Sequence, residues 1–404
     1  MIGDLKMNIL YMTMSYDYSR NGLYQNLVEA LLMRGHSVTI VRCNSDIDKT
    51  YYHRLESSFD MLTVKTGNPF SKNIIEKGLN QISLSLYFKK AIKGYLGDRK
   101  FDLILYATPP VTLSGVVKFC KRKYNAKTFL MLKDIFPQNA VDLEIMKNGS
   151  LIYKYFRNKE KAYYKYSDYI GCMSQGNVDY VLKHNPEVSP NKIGIFANSV
   201  KIEEIENLSF NEDKTVFILG GNLGKPQNIS GLLNIIEKAK DINKAEFLIV
   251  GKGTEQKKIE KFISQKRIKN LTYKQYVPQE EYYKLLNSAD VGLISLDPRF
   301  TIPNTPSKFQ HYLKLKKPVL AITDLNTDIK DMILDNNCGW WCDATKTEDI
   351  VNMVKNICDN KDEQILKGEN GRIYLEKMFD VNLNVEKLEL FFQQEDLYEG
   401  EQNE

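Results

Sequence analysis

The chain reads as two α/β domains in tandem, each a parallel sheet wrapped by helices, because three features of its 404 residues agree. Short apolar runs recur throughout, each followed by a polar loop and an amphipathic stretch at helical spacing, which is the grammar of βα units. That grammar restarts after a polar, charged run, "NSVKIEEIENLSFNEDKT" at 198–215. The length also suits two cores better than one. The expected division is 1–199 for the first domain, 200–213 for a linker, 214–379 for the second domain, and 380–404 for a final helix with an acidic tail.

The first domain opens with "NILYMTM", a strand from Asn8 to Met14, and the loop "SYDYSRNG". A helix follows with Leu23, Leu27, Ala30 and Leu31 on one face, and Gly35 ends it, since glycine accepts a left-handed conformation cheaply. "SVTIV" is the next strand, and "DLILYA", "TFLML", "YIGCM" and "KIGIFA" supply four more at 102–107, 128–132, 169–173 and 192–197. In the second domain "TVFILG", "EFLIV", "LTYKQ", "DVGLIS" and "VLAIT" are strands, with "ISGLLNIIEKAK" a helix between the first two. Two such doubly wound domains place a cleft between the carboxyl ends of their sheets, where this architecture binds ligands.

Composition narrows the function classes. A 43% hydrophobic and 26% charged sequence is that of a globular protein. No apolar run approaches the roughly 18 residues of a spanning helix, and "MIGDLKMNILYM" has no signal-peptide core. The expected location is therefore cytoplasmic. Six scattered cysteines read as reduced thiols, and Cys338 and Cys342 in "CGWWC" lack the partners of a zinc site. Residues 1–199 carry 28 Lys and Arg against 17 Asp and Glu, whereas the remainder carries 28 against 34. The first half is thus suited to an acidic surface.

The chemistry lies in loops that follow strands. "GGNLGKPQN" (Gly220 to Asn228) combines Gly221, Asn222, Gly224 and Lys225 before a helix, so backbone amides and a cation can meet an anion. It is neither a dinucleotide fingerprint nor a Walker A loop. "VGKGTE" places Gly251 and Gly253 in the same position after the next strand, and "YVPQ" places Val277 and Pro278 after another. "TPSKFQHYLKLKKPVL" (Thr305 to Leu320) reads as a helix start, a helix and a buried strand. Thr305 is the cap, Pro306 the first helical residue, and Ser307 and Lys308 fall in an exposed first turn. A lysine at the positive end of a helix dipole is disfavoured unless an anion also belongs there. Together these loops point to a nucleotide diphosphate.

The ordered set "RGHSVTIV", "LKDIFPQNAVDL", "FANSV", "GGNLGKPQN", "VGKGTE", "YVPQEEYYKLLNSADVGL" and "PSKFQHYLKLKKPVLAI" is similar to the family-four retaining glycosyltransferases of GT-B fold. The resemblance covers nearly the whole chain and is strongest to the branch that builds bacterial capsules, O-antigens and other lipopolysaccharide. It implies a UDP-sugar donor bound to the second domain, with its base beside Val277 and Pro278. Its diphosphate would meet Gly221, Gly224, Lys225, Ser307 and Lys308, with Gly22 closing over it from the first domain. Asp134 in "LKDIFP" falls where the family places an acidic or histidine side chain beside the transferred sugar. The resemblance also implies retention of configuration without a metal or other cofactor. One departure stands out: relatives carry two glutamates eight apart, and here those positions are Pro303 and His311. Gln310, or Asp297 in "SLDPRF", is left as a candidate to bond the ribose.

Two basic segments suggest the acceptor side. In 72–100 seven Lys or Arg face two acids, with Ile75, Leu79, Ile82 and Leu86 at helical spacing; 147–166 adds six against one, interleaved with Tyr153, Tyr155, Tyr163, Tyr164 and Tyr166. Such segments either pack on the sheet or dock on an anionic membrane. No recognised nucleic-acid module accompanies them, so nucleic acid is not an expected partner. The expected function is transfer of a sugar to a polyprenyl-diphosphate-linked surface glycan at the inner face of the plasma membrane. The alternatives are a UDP-sugar 2-epimerase on the same fold and a non-catalytic, transferase-like partner protein.

Overall fold

The computed structural model describes residues 5–18, 22–69, 74–204, 213–266 and 268–400. They divide into two units. One comprises 1–141, 146–201 and 381–404; the other comprises 142–145 and 202–380.

In the first unit the strands are β1 (Asn8–Thr13), β2 (Ser37–Asn44), β3 (Tyr51–Glu56), β4 (Phe59–Lys65), β5 (Leu103–Ala107), β6 (Lys127–Leu132), β7 (Tyr169–Cys172) and β8 (Ile193–Ile195). The helices are α1 (Leu23–Met33), α2 (Ile74–Tyr95), α3 (Ser114–Tyr124), α4 (Gln138–Asp142), α5 (Leu151–Tyr166) and α6 (Gln175–His184). The sheet order is β3-β4-β2-β1-β5-β6-β7-β8, parallel throughout except for the edge strand β3. The order reverses between β1 and β5, so the loops after those strands open the crevice where such sheets hold ligands. One apolar layer packs α2, α3 and α5 on the sheet, with Leu84, Phe88, Val117, Tyr163 and Tyr164 at its centre.

The opposite face carries α1 and, unexpectedly for a separate tail, the C-terminal helix Val381–Gly400. Val385 and Leu388 bury against α1, and Arg34 forks onto Glu386 and Glu389 at 2.7 and 2.8 Å. His36, the histidine of "RGHSVTIV", explains why that motif matters here. Its Nδ1 accepts from the Met7 amide at 3.2 Å, so Nε2 carries the proton and faces Glu389 at 3.1 Å. Burial holds its pKa below the ordinary value, and the neutral ring ties β1 to that helix.

The second unit has strands β9 (Thr215–Asn222), β10 (Ala245–Lys252), β11 (Leu271–Lys274), β12 (Val291–Ser295), β13 (Val319–Thr323) and β14 (Gly339–Asp343). Its helices are α7 (Ile229–Lys238), α8 (Gln256–Lys266), α9 (Gln279–Ser288), α10 (Lys308–Lys314), α11 (Ile329–Asp335), α12 (Thr347–Asp359) and α13 (Lys361–Met378); the C-terminal helix is α14. The all-parallel order β11-β10-β9-β12-β13-β14 reverses between β9 and β12. These two strands pair only through Val291 with Phe217 and Gly292 with Ile218, then part. The Tyr312 ring fills the space a side chain at Gly292 would take, and its hydroxyl lies 3.1 Å from the Ile218 carbonyl and 3.0 Å from that of Leu293. A strand pair that ends early thus leaves a crevice whose floor is pinned by α10.

Every strand named from the sequence is present, but three were missed. The β3–β4 hairpin at 51–65 escaped notice, and "CGWWC", considered above for metal, spans β14. All six cysteines are buried and free. The linker expected at 200–213 lies mostly outside the described residues.

Candidate functional site

In the second unit the loops at the carboxyl ends of the strands hold one another. The Leu223 amide donates to the Lys252 carbonyl at 3.0 Å, and the Glu255 amide to the Leu223 carbonyl at 3.0 Å. Gly251 has φ +147°, and a side chain there would lie 1.9 Å from the Gly221 carbonyl oxygen; at Gly253 it would lie 2.2 Å from that of Leu223. The glycines of "VGKGTE" therefore permit two backbones to touch, and their position needs no ligand to explain it. Gly251→Ala is expected to destabilise the second unit by about 3 kcal/mol, since neither backbone can yield cheaply. Denaturant unfolding of wild type and variant measures this.

Gly221 is the open part of the turn. It has φ +107°, and nothing lies within 4 Å of where its side chain would be. Asn222 and Lys225 beside it are exposed. The sequence places a bare helix start after this loop, whereas the structure inserts a short 3-10 turn, Lys225–Gln227, in which the Gln227 side chain accepts from the Gly224 amide at 3.0 Å. Asn228 then caps α7 by accepting from the Gly231 amide at 3.3 Å. Any anion here meets the Gly221–Lys225 turn and not the capped helix.

The "TPSK" turn is corrected in two respects. Helix α10 begins at Lys308 with Ser307 in the cap position, and the Thr305 hydroxyl caps nothing and has no partner among the described residues. Ser307 is exposed as expected, whereas Lys308 is half-buried by surface area, and the desolvation around its ammonium pulls its pKa down to about 8. A desolvated ammonium is unfavourable until an anion meets it. Next to it, Gln310 is fully buried, and among the described residues neither its amide nitrogen nor its amide oxygen has a partner. The Ser295 hydroxyl at the end of β12 is equally unsatisfied. Unpaired buried polar groups of this kind are uncommon and call for a ligand or water.

His311 turns toward α9, where the Tyr283 hydroxyl lies 3.4 Å from its Nδ1. Burial and nearby Lys314 lower its pKa to about 4, so the ring is neutral where relatives would hold a carboxylate. Helix α9 starts directly after Val277 and Pro278, and Tyr282 on it packs against Gly220. Lys252 lies 4.6 Å over the Tyr276 ring, joining the "YVPQ" loop to the glycine loops. Asp297 is already engaged: Arg299 clamps its carboxylate at 2.9 and 2.8 Å, which leaves Gln310 as the better candidate for a ribose.

In the first unit, Gly22 caps α1 with an extended φ of −163°, and among the described residues no side chain makes a capping hydrogen bond to the helix start. Asp134 follows β6, where the Thr108 hydroxyl oxygen accepts from the Lys133 and Asp134 amides at 2.9 and 3.2 Å. Burial pushes the Asp134 carboxyl up to about 6, and its charge raises the pKa of Tyr24 on α1, itself raised mainly by burial. Lys133 points elsewhere, 5.6 Å over the Phe196 ring, with its pKa lowered to about 7 by burial. Tyr24 and Lys133 carried no motif signal, because a helix-face tyrosine and a strand-end lysine are ordinary residues until folded together.

The two basic segments divide between the two readings. On α2 the buried face is Leu84, Phe88, Ala91 and Ile92, whereas Leu79, Ile82 and Leu86 of the apolar stripe are exposed, together with Tyr87. The Ile75 side chain lies outside the described residues. On α5, by contrast, Tyr163 and Tyr164 are fully buried, so they belong to the core and not to an interface.

Residues 200–373 match the family model for glycosyl transferases group 1. Among curated relatives, the probable glycosyltransferase WbjE of Pseudomonas aeruginosa is 23% identical over 312 residues, covering 75% of this chain and 77% of its own. Among solved structures, sucrose-phosphate synthase from Thermosynechococcus elongatus aligns over 97% of this chain and 100% of its own with TM-score 0.76 at 14% identity. HepE of Anabaena, solved with UDP-glucose, aligns over 95% and 99% with TM-score 0.65 at 13% identity. The structural likenesses establish a two-domain GT-B fold. The domain match and the curated relative support a glycosyltransferase, and nothing in them favours an epimerase.

Proposed function

We propose that the chain transfers a sugar from a UDP-sugar to a lipid-linked or growing surface glycan, with retention of configuration and without a metal. The observation that carries this is the crevice where β9 and β12 part. There an open left-handed turn at Gly221, the exposed Lys225 and the desolvated Lys308 all come from loops at one end of the sheet. Breaking the sugar–phosphate bond leaves negative charge on the diphosphate. Fixed amides and ammonium groups stabilise that charge as it forms, at no reorganisation cost. Each charge-assisted hydrogen bond contributes about 1.5–3 kcal/mol, so no single lysine supplies the roughly 8 kcal/mol that enzymes need at minimum. Positioning of donor and acceptor supplies the remainder. Gln310 binds the ribose, Val277 and Pro278 flank the base, and Asp134 faces the transferred sugar as an anion.

Purified protein incubated with radiolabelled UDP-sugars and bacterial membrane extract tests this. Transfer of label into the lipid fraction from one of them is expected. Thermal stabilisation by UDP without transfer from any UDP-sugar would contradict the enzymatic reading and leave a binding protein.

The acceptor side is read as peripheral on the cytoplasmic face of the membrane. Among the described residues no helix is long and apolar enough to cross it. The support is α2, whose exposed Leu79, Ile82, Leu86 and Tyr87 share the helix with exposed Lys89, Lys90 and Lys93. Apolar burial combined with attraction to anionic lipid is how such helices bind surfaces. The protein is expected to float with phosphatidylglycerol vesicles at low salt, and Leu79→Glu with Leu86→Glu is expected to weaken flotation at least tenfold. Equal flotation of wild type and double variant would remove α2 from the interface.

A further inference from the structure

The connection after β13 holds a carboxylate that the donor chemistry above does not use. Asp324 is 2% exposed, and one of its oxygens, Oδ1, accepts from the Asn326 and Thr327 amides, each at 2.8 Å. Its other oxygen, Oδ2, is buried without a partner among the described residues, as is the hydroxyl of Thr305. The two residues lie on connections that the fold stitches together. The Thr327 hydroxyl donates to the Asn304 carbonyl at 2.6 Å and accepts from the Asn304 amide at 3.2 Å, and the Asn326 carboxamide donates to the Phe300 carbonyl at 2.6 Å. An acceptor and a hydroxyl left unpaired at one end of the sheet are costly, and a ligand carrying hydroxyls satisfies both. Burial pushes the Asp324 carboxyl up to about 6 although two amides hold it down, as expected of an oxygen desolvated without compensation. Neither atom is open to solvent in this structure, but 298–306, which carries Thr305, contains neither helix nor strand and can shift without breaking a ladder.

Sheet order says which part of a donor lies here. The carboxyl ends of β11, β9 and β13 follow one another at every second strand of β11-β10-β9-β12-β13, so about 10 Å separates each from the next. The "YVPQ" loop follows β11, the Gly221 turn follows β9, and helix α10 with Lys308 stands between β12 and β13. A donor with its base beside the first and its diphosphate on the other two therefore carries its sugar on toward the end of β13. We propose that Asp324, with the Thr305 hydroxyl, binds hydroxyls of that sugar and so selects the donor, an inference that rests on the UDP-sugar reading above. Asp324 stands on a different connection from Pro303, where relatives carry a glutamate. A carboxylate accepts from hydroxyls and repels another carboxylate, so the sugar selected is neutral, a hexose or N-acetylhexosamine and not a uronate.

Isothermal titration of the full chain with UDP, UDP-glucose, UDP-galactose, UDP-N-acetylglucosamine, UDP-N-acetylgalactosamine and UDP-glucuronate tests this. Asp324→Asn keeps an acceptor for the two amides and removes the charge. In that variant the tightest neutral UDP-sugar is expected to lose about tenfold or more in affinity, the worth of one charge-assisted hydrogen bond, and in Thr305→Val about threefold or more, while UDP stays within about twofold of wild type in both. UDP-glucuronate is expected to bind wild type no more tightly than UDP; tighter binding of it than of every neutral UDP-sugar overturns the proposal. If UDP and every neutral UDP-sugar bind Asp324→Asn as they bind wild type, the carboxyl orders only its own loop or a water, and the proposal is overturned with the donor reading intact. If that variant loses UDP as well, Thr305→Val decides by the same comparison. Wild type that binds no UDP overturns the donor reading, and this proposal with it.

Discussion

Replacing Lys308 with alanine lowers affinity for UDP by about 10- to 150-fold, the equivalent of one lost charge-assisted hydrogen bond of roughly 1.5–3 kcal/mol. The size of the effect follows from where the ammonium sits. Burial has already reduced its pKa to about 8, so the protein keeps a weakened cation that recovers its full charge when a diphosphate arrives. Two pH dependences of opposite sign follow. As pH rises above about 8 the free protein loses that proton, and UDP affinity falls toward tenfold per pH unit. Over the same window the unfolded chain, with an ordinary lysine, binds more protons than the folded one, so this group makes the unliganded protein more stable as pH rises. Isothermal titration with UDP from pH 7 to 9.5, beside thermal unfolding without it, measures both. Lys308→Ala removes both slopes. An ordinary surface lysine would show neither.

Asp134→Asn is expected to lower the transfer rate by about 10²- to 10⁴-fold while leaving UDP affinity within about twofold, because in the proposed mechanism its carboxylate acts on the sugar and not on the nucleotide. As the bond to the leaving phosphate breaks, positive charge develops on the ring, and an ionised carboxylate there stabilises it. Burial sets the carboxyl near 6, so the rate falls tenfold per unit as pH drops below about 6 and is level above it. The asparagine variant keeps a low, flat profile. If Asp134→Asn instead weakened UDP binding and left the limb near pH 6 in place, the residue would be structural and another group would titrate.

Much of this was legible in the sequence, because parallel strands buried on both faces are continuous apolar runs. β1, β5, β9 and β13 could be read directly, and so could the loops that follow them. The β3–β4 hairpin could not. β3 is an antiparallel edge strand in which no residue is fully buried and exposed and half-buried positions do not alternate cleanly, so "YYHRLE" carries no clear period. β14 was obscured by its cysteines, which drew attention as ligands when they are core residues. On α2 the spacing of Leu79, Ile82 and Leu86 was read correctly as one stripe. Which face packs on the sheet depends on a competing stripe, Leu84, Phe88, Ala91 and Ile92, and on the sheet beneath it.

The site divides in the same way. Gly221, Gly224 and Lys225 announce themselves by type and position, but the Asn228 cap and the contact between Gly251 and Gly221 exist only once two loops meet. Tyr312 is the clearest case. Its spacing marks it as apolar core, yet its hydroxyl reaches two carbonyls at the point where β9 and β12 part, and so helps fix where Lys308 stands. No local pattern encodes a partner 94 residues away.

The crevice between β9 and β12 is proposed to hold a nucleoside diphosphate. A crystal structure of the protein with UDP tests it most directly. A diphosphate is expected within hydrogen-bond distance of the Lys308 ammonium and of amides in the Gly221–Lys225 turn, with the ribose on Gln310. UDP bound elsewhere, or a crevice in which Lys308 makes no contact with phosphate oxygen, would contradict it.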